Sequence, residues 1–135
     1  MNFENSLQEG YVRKVTKDIL RARSLLNAAE DALRAASELQ LQEHNFKSIM
    51  RELYEALRQC CEAFGYLKGY KFQSHEVIVY FLEDIIHEAD LSRKFDRYRK
   101  IRNGINYYGH DVAKETIEKA LQEIPEMVEK LKKKS

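Results

Sequence analysis

One proline, five glycines and two cysteines are all that this chain of 135 residues holds of the residue types that most often break, bend or cross-link a backbone. With so few breakers and no sustained alternation of apolar and polar residues, the sequence reads as almost entirely helical. Cys60 and Cys61 are adjacent. In a helical pattern their side chains diverge by about 100°, so a bridge between them would be strained and no disulfide framework exists. They read as two small buried side chains, with a redox or metal role as the alternative. Long apolar runs are missing too. The longest, Val77 to Leu82, is far short of a bilayer span, and the opening Met-Asn-Phe-Glu-Asn has neither a basic flank nor a signal-like apolar block. A cytoplasmic protein is the expectation.

What is present is 44% hydrophobic and 33% charged, the balance of a folded globular chain and not of a disordered or membrane-inserted one. No repeat, linker or second domain interrupts it, so residues 1–135 are read as one domain. The net charge of +1 conceals an asymmetry. Glu76, Glu83, Asp84, Glu88 and Asp90 are followed by six basic residues between Arg93 and Arg102, against Asp96 alone. Either an acidic helix packs beside a basic one, or the basic segment attracts an anion such as phosphate.

Apolar spacing predicts the elements. Val12, Val15, Ile19, Ala22, Leu25, Leu26, Ala29, Leu33 and Ala36 recur every three or four residues and predict a long first helix from about Gly10 to about Gln40. Asn45 is placed to cap a second helix with Ile49, Met50, Leu53, Leu57, Cys60, Phe64 and Leu67 inside, and Gly69 to stop it. A loop, Gly69-Tyr-Lys-Phe-Gln73, follows. Ser74 would cap a third helix carrying Val77, Ile78, Phe81, Leu82, Ile85 and Ile86. Asp90 or Ser92 would cap a fourth ending near Gly109, and Asp111 would open a fifth, bent at Pro125. Short connections between amphipathic helices make an all-α bundle.

Within the fourth helix, Leu91, Phe95, Tyr98, Ile101, Ile105 and Tyr108 share one arc of the helical wheel, and Arg102 falls inside it. Arg93, Arg97 and Lys100 project from the other side, where water solvates them. A guanidinium drawn towards a core or cleft needs an anion, carbonyl groups or a ligand.

Other chemistries are weaker. Asp84-Ile-Ile-His87, with Glu83 and Glu88, resembles one half of a carboxylate-bridged dimetal motif. No second copy exists, and the segment reads as a solvated helix face. There is no glycine-rich strand-to-helix turn for a phosphate loop or nucleophile, and Gly65-x-x-x-Gly69 reads as a helix stop. The eight tyrosines suit core edges. Those near Arg99 and Arg102 are also placed to stack the bases of single-stranded RNA.

Taken in order, Tyr54-Glu-Ala-Leu-Arg58, Gly69-Tyr-Lys-Phe-Gln-Ser-His75 and Arg102-Asn-Gly-Ile-Asn-Tyr-Tyr-Gly109 resemble the HEPN-domain family, in particular its small stand-alone prokaryotic and archaeal members, over roughly residues 47–118. The resemblance implies an up-and-down bundle of four or five helices, a homodimer and a minimal nucleotidyltransferase partner of toxin–antitoxin type. It also implies a metal-independent ribonuclease site, in which an arginine and a polar residue precede a histidine by four to six residues. Arg102 and Asn103 match the first half. Tyr107 stands at the first histidine position, and His110 lies seven intervening residues from Arg102. Histidine titrates near neutrality and tyrosine near 10, so proton transfer at a ribose 2′-hydroxyl would need His110, brought back by a turn at Gly109.

The expectation is therefore an RNA- or nucleotide-binding cleft lined by Arg99, Arg102, Asn103, Asn106 and Tyr107, with Arg58 and Tyr54 completing the wall. Arg102 and His110 are the candidate catalytic pair, and no metal or cofactor is implied. The competing expectation is a non-catalytic interaction module in which Arg102 ties helices together through Glu52, Glu55 or Glu62. A surface formed by Tyr80, Phe81, Ile85, Phe95 and Tyr98 is expected to make the dimer.

Overall fold

The computed structural model describes residues 1–134. In chain order its elements are α1 (Phe3–Glu9), β1 (Val12–Lys14), α2 (Ile19–Glu38), a 3-10 turn (Glu43–Asn45), α3 (Phe46–Lys68), β2 (Tyr70–Phe72), α4 (Glu76–Asp84), α5 (Ala89–Tyr108) and α6 (Lys114–Lys132). This is an all-α, bundle-like fold with a two-stranded ribbon at one end.

The N-terminal third departs from expectation. The Asn2 side chain caps α1 by accepting from the Asn5 N–H at 2.8 Å, and Gly10 ends it at φ 82°. The predicted helix from Gly10 does not form. Val12–Lys14 instead pairs antiparallel with Tyr70–Phe72, Val12 opposite Phe72 and Lys14 opposite Tyr70, so the predicted loop after Gly69 is a strand. The long helix starts only at Ile19, where the Asp18 carboxylate accepts from the Arg21 N–H at 2.9 Å. A carboxylate satisfying an orphan donor there outweighs the apolar spacing running through Val12 and Val15.

α2 buries Ala22, Ala29, Ala32 and Ala36, a face of small residues that lets it lie close along α3. α3 is the central element. Ile49, Met50, Leu53, Leu57, Cys60 and Phe64 are buried as its spacing predicts, while Leu67 is half-buried. Gly69 ends it at φ 85°, and its carbonyl accepts from the Val15 N–H at 2.9 Å, so the stop also joins the two strand ends.

The remaining caps shift slightly. Asn45 makes no side-chain cap, and its amide donates to the Gln40 carbonyl at 3.2 Å. Ser74 Oγ accepts from the Val77 N–H at 3.4 Å, next to the start of α4. Ser92 lies inside α5 and donates to the Val79 carbonyl at 2.7 Å, tying α5 to α4. The last helix begins at Lys114, later than Asp111, and carries Pro125 internally.

The surface expected to make a dimer is largely interior. Phe81, Phe95 and Tyr98 are buried within one chain, and only Tyr80 and Ile85 are half-exposed. Phe81 packs its ring against Phe3, Tyr70 and Phe72. Tyr98 donates from its hydroxyl to Glu123 on α6 at 2.6 Å. Each such ring contributes about 1.5–3 kcal/mol by burial, which accounts for the apolar surplus of α4 and α5 without a partner. Among the described residues no helix is long and apolar enough to cross a membrane.

Candidate functional site

Arg102 is neither in the core nor free in water. It is half-buried, its guanidinium carbon 5.3 Å from the centroid of the buried Tyr54 ring, and its Nη1 donates to Asn103 Oδ1 at 3.1 Å. Neither neighbour is an anion. The carboxylates proposed to hold it are committed elsewhere or apart: Glu55 and Glu62 both pair with Arg58, and no ion pair joins Glu52 to Arg102. Arg102 has no carboxylate partner among the described residues. A cation over an aromatic face with only a neutral amide for company retains most of its capacity for an anion.

Arg102 opens onto a cleft of about 350 Å³. Arg99, Asn103 and Tyr107 line it from α5, and Ser74, His75 and Glu76 from the start of α4. Arg99 also pairs with Asp96, at 2.8 Å from Nη2 and 3.1 Å from Nε, so Arg102 supplies the uncompensated positive charge. Glu76 is an opposing carboxylate on the exposed rim, held at 3.4 Å by the Tyr80 hydroxyl.

The other expected site residues divide. Tyr54 lies beneath Arg102, and burial pushes its phenol well above the ordinary range although Arg102, Arg99 and Arg58 pull it down. Arg58 stands on the same helix with its guanidinium engaged by two glutamates. Burial alone would lower its basicity, and Glu55 and Glu62 more than offset that. Asn106 is exposed and accepts from Arg51 Nε at 2.9 Å, outside the cleft.

His110 does return, as a turn at Gly109 requires, but to another place. Gly109 takes φ 65°, and the His110 N–H donates to the Gly104 carbonyl at 3.1 Å. The imidazole stacks on Tyr108 at 5.6 Å and lies so close over Gly104 that a β-carbon there would sit 2.7 Å from Nδ1. Gly104 is about 160° around the helix from Arg102, and His110 is not among the residues that line the cleft.

The histidine in the cleft is His75. Its Nδ1 is 3.0 Å from the Tyr54 hydroxyl, and the two rings lie 5.8 Å apart. Burial first, then the positive charges of Arg58 and Arg102, lower its pKa to about 4, so the ring is neutral near pH 7. His75 closes the Gly69–His75 segment, yet nothing in the sequence assigns it to the site. A lone histidine beside a capping serine carries no spacing signal, and only the fold brings it to Arg102.

The remaining candidates are structural. Cys60 and Cys61 are fully buried, and burial pushes the Cys60 thiol up to about 12 and Cys61 higher still. Asp84 accepts from the Phe3 N–H at 2.9 Å, while His87 sits exposed in the left-handed region at φ 62°. Glu88 pairs with Lys130 and Lys134. Among the described residues no three His, Cys, Asp or Glu gather as a metal site. The basic residues of α5 do not neutralise α4: Arg97 and Lys94 pair with Glu123 of α6, and Arg99 and Lys100 with Asp96 of their own helix. No family model and no curated protein matches the chain.

Proposed function

We propose that this chain is a cytoplasmic HEPN-type protein that binds RNA, or a nucleotide-bearing partner, through the cleft between α5 and the start of α4. One observation carries the reading. Arg102 is a half-buried guanidinium without a carboxylate partner among the described residues, held over Tyr54 and facing an open polar cleft. A phosphodiester would supply the missing anion. Asn103 orients the guanidinium, Arg99 adds a second donor group at the wall, and the exposed ring of Tyr107 offers a stacking surface for a base.

Binding is favoured over cleavage. Proton transfer by His110 would require the turn at Gly109 to reopen and carry the imidazole from Gly104 into the cleft. The homodimer and the minimal nucleotidyltransferase partner belong to the same proposal, and light scattering of the purified protein tests the first of them.

The binding experiment is titration of a labelled single-stranded RNA in EDTA at several salt concentrations, with the RNA inspected on a gel afterwards. Wild type is expected to bind with an affinity that falls steeply with salt and to leave the RNA intact. Arg102→Ala is expected to weaken binding at least about tenfold and to flatten the salt dependence. Absence of binding by folded wild type would leave the interaction-module reading standing instead.

A further inference from the structure

His75 and Tyr54 reach the cleft from different elements and are joined by one hydrogen bond of 3.0 Å. The direction of that bond follows from the surroundings. Tyr54 is buried, burial keeps its phenol protonated, and a buried hydroxyl needs an acceptor. His75 Nδ1 is the acceptor the structure gives it among the described residues. The phenol therefore donates to Nδ1, and the neutral ring carries its own proton on Nε2, the nitrogen left to meet a ligand.

We propose, building on the nucleic-acid reading above, that His75 is a ligand residue of this cleft, donating from Nε2 to the same phosphodiester that Arg102 holds, and that this contact couples binding to the uptake of one proton. The proton goes from solvent to Nδ1, which then donates to the Tyr54 oxygen. In the empty cleft this step is opposed by desolvation, by the positive charges of Arg58, Arg102 and Arg99, and by the phenol's loss of its acceptor; the Glu55 carboxylate favours it. Glu76, next in sequence, is the other charged group at the rim. A phosphodiester beside Arg102 reverses the balance, because an opposite charge within a few ångströms raises a histidine pKa by about 1–3 units. Affinity then rises as pH falls below neutrality and levels off near the free-ring value of about 4.

The probe is a short 2′-O-methyl oligouridylate, whose phosphodiesters are intact but which offers no 2′-hydroxyl to attack. For a rise of about 2 units, wild type is expected to bind it about tenfold more tightly at about pH 5 than at about pH 7. Calorimetry in buffers of different ionisation heat should show the matching proton uptake. His75→Gln keeps an N–H donor but cannot be protonated, so it should bind without pH dependence and without proton uptake. Should that variant fail to fold, the His75 imidazole is titrated by NMR in the wild type, and its pKa should rise when the oligonucleotide is added. Wild-type binding with a flat pH profile, an unchanged slope in His75→Gln, or an imidazole pKa unmoved by the ligand would each overturn the proposal while leaving the Arg102 cleft intact. No binding at any pH would overturn both.

Discussion

The Arg102 guanidinium lies 5.3 Å above the ring of Tyr54, and this contact takes the place that a carboxylate would hold in an ordinary buried ion pair. Its energetic signature differs from that of a structural tie. Removing one partner of a buried pair strands the other charge and costs about 3–5 kcal/mol, whereas a cation over a ring that stays open to solvent contributes about 0.5–1 kcal/mol. Arg102→Ala should therefore lower stability by about 1 kcal/mol or less in a urea titration while weakening RNA binding at least about tenfold. A large stability loss with unchanged binding would return Arg102 to a structural role.

Arg58 should show the opposite pattern. Its side chain is only 17% exposed and holds both Glu55 and Glu62. Burial pushes the Glu62 carboxyl up and Arg58 pulls it back, so without the arginine this carboxyl would titrate closer to neutral pH. Arg58→Ala is expected to cost about 2 kcal/mol, reduced from the fully buried case by solvent screening, and to change RNA affinity less than threefold. Denaturant titration and the binding assay on the same preparation separate the two effects.

Much of this was legible from residue spacing, and the failures have identifiable causes. The inner face of α3 and the stops at Gly69 and Gly109 follow from 3.6-residue periodicity and from glycine's access to positive φ. The ribbon was invisible because a strand of three residues is too short to display a period of two, and Val12, Val15 and Ile19 happen to fall at helical spacing. Phe81, Phe95 and Tyr98 resemble a dimer surface in sequence because single-helix patterns do not reveal which neighbour covers them. Tyr108 shares the apolar arc of α5 yet is 74% exposed, since the last turn from Asn106 onward is not covered. For the site, Arg102 stood out as a charge at an apolar position, while His75 became visible only when the ribbon and α4 set it against Tyr54.

Stability should also record the state of His75. The unfolded ring titrates at its ordinary value of about 6.5 and the folded ring at about 4, so between these values the unfolded chain binds the extra proton. The stabilisation is complete above about pH 6.5 and is lost progressively as pH falls towards 4. It amounts to about 2 kcal/mol once solvent screening of a half-buried ring is allowed for. Asp96 is pushed up by burial but pulled below its ordinary value by Arg99 and Lys100, and Glu123 likewise by Tyr98 and Arg97, so their losses fall at lower pH. Urea titrations of wild type and His75→Gln across this window should differ in slope, with the variant flatter.

Two glycines on different helices should respond unequally to alanine. A β-carbon on Gly65 would lie 2.8 Å from the Phe72 ring and 3.2 Å from the Tyr70 carbonyl, where the ribbon packs on α3. Neither neighbour is free to retreat, and Gly65→Ala should cost about 2–3 kcal/mol. At Gly104 the obstacle is the imidazole of exposed His110, which can swing into water. There the better helix propensity of alanine, about 1 kcal/mol, offsets the lost contact, so stability should change by less than about 1 kcal/mol while the His110 NMR signals move. Equal losses at both sites would show that His110 is held more firmly than its exposure implies.

Catalysis gives a direct test of His110. Cleavage at a ribose phosphodiester requires a proton acceptor at the 2′-hydroxyl within hydrogen-bond reach of the phosphate that Arg102 holds. His110 lies over Gly104 and stacks on Tyr108, outside the cleft, so His110→Ala should leave RNA affinity within about twofold and leave the RNA as intact as wild type does. Arg102→Ala should lose the affinity. The measurement is prolonged incubation of excess protein with end-labelled single-stranded RNA in EDTA, read on a gel beside the binding isotherms. Wild-type cleavage that both His110→Ala and Arg102→Ala abolish, with folding intact, would mean that the Gly109 turn rearranges when RNA binds and that the cleft is a ribonuclease site. Intact RNA with steeply salt-dependent binding identifies a site that holds the phosphate and performs no proton transfer at the ribose.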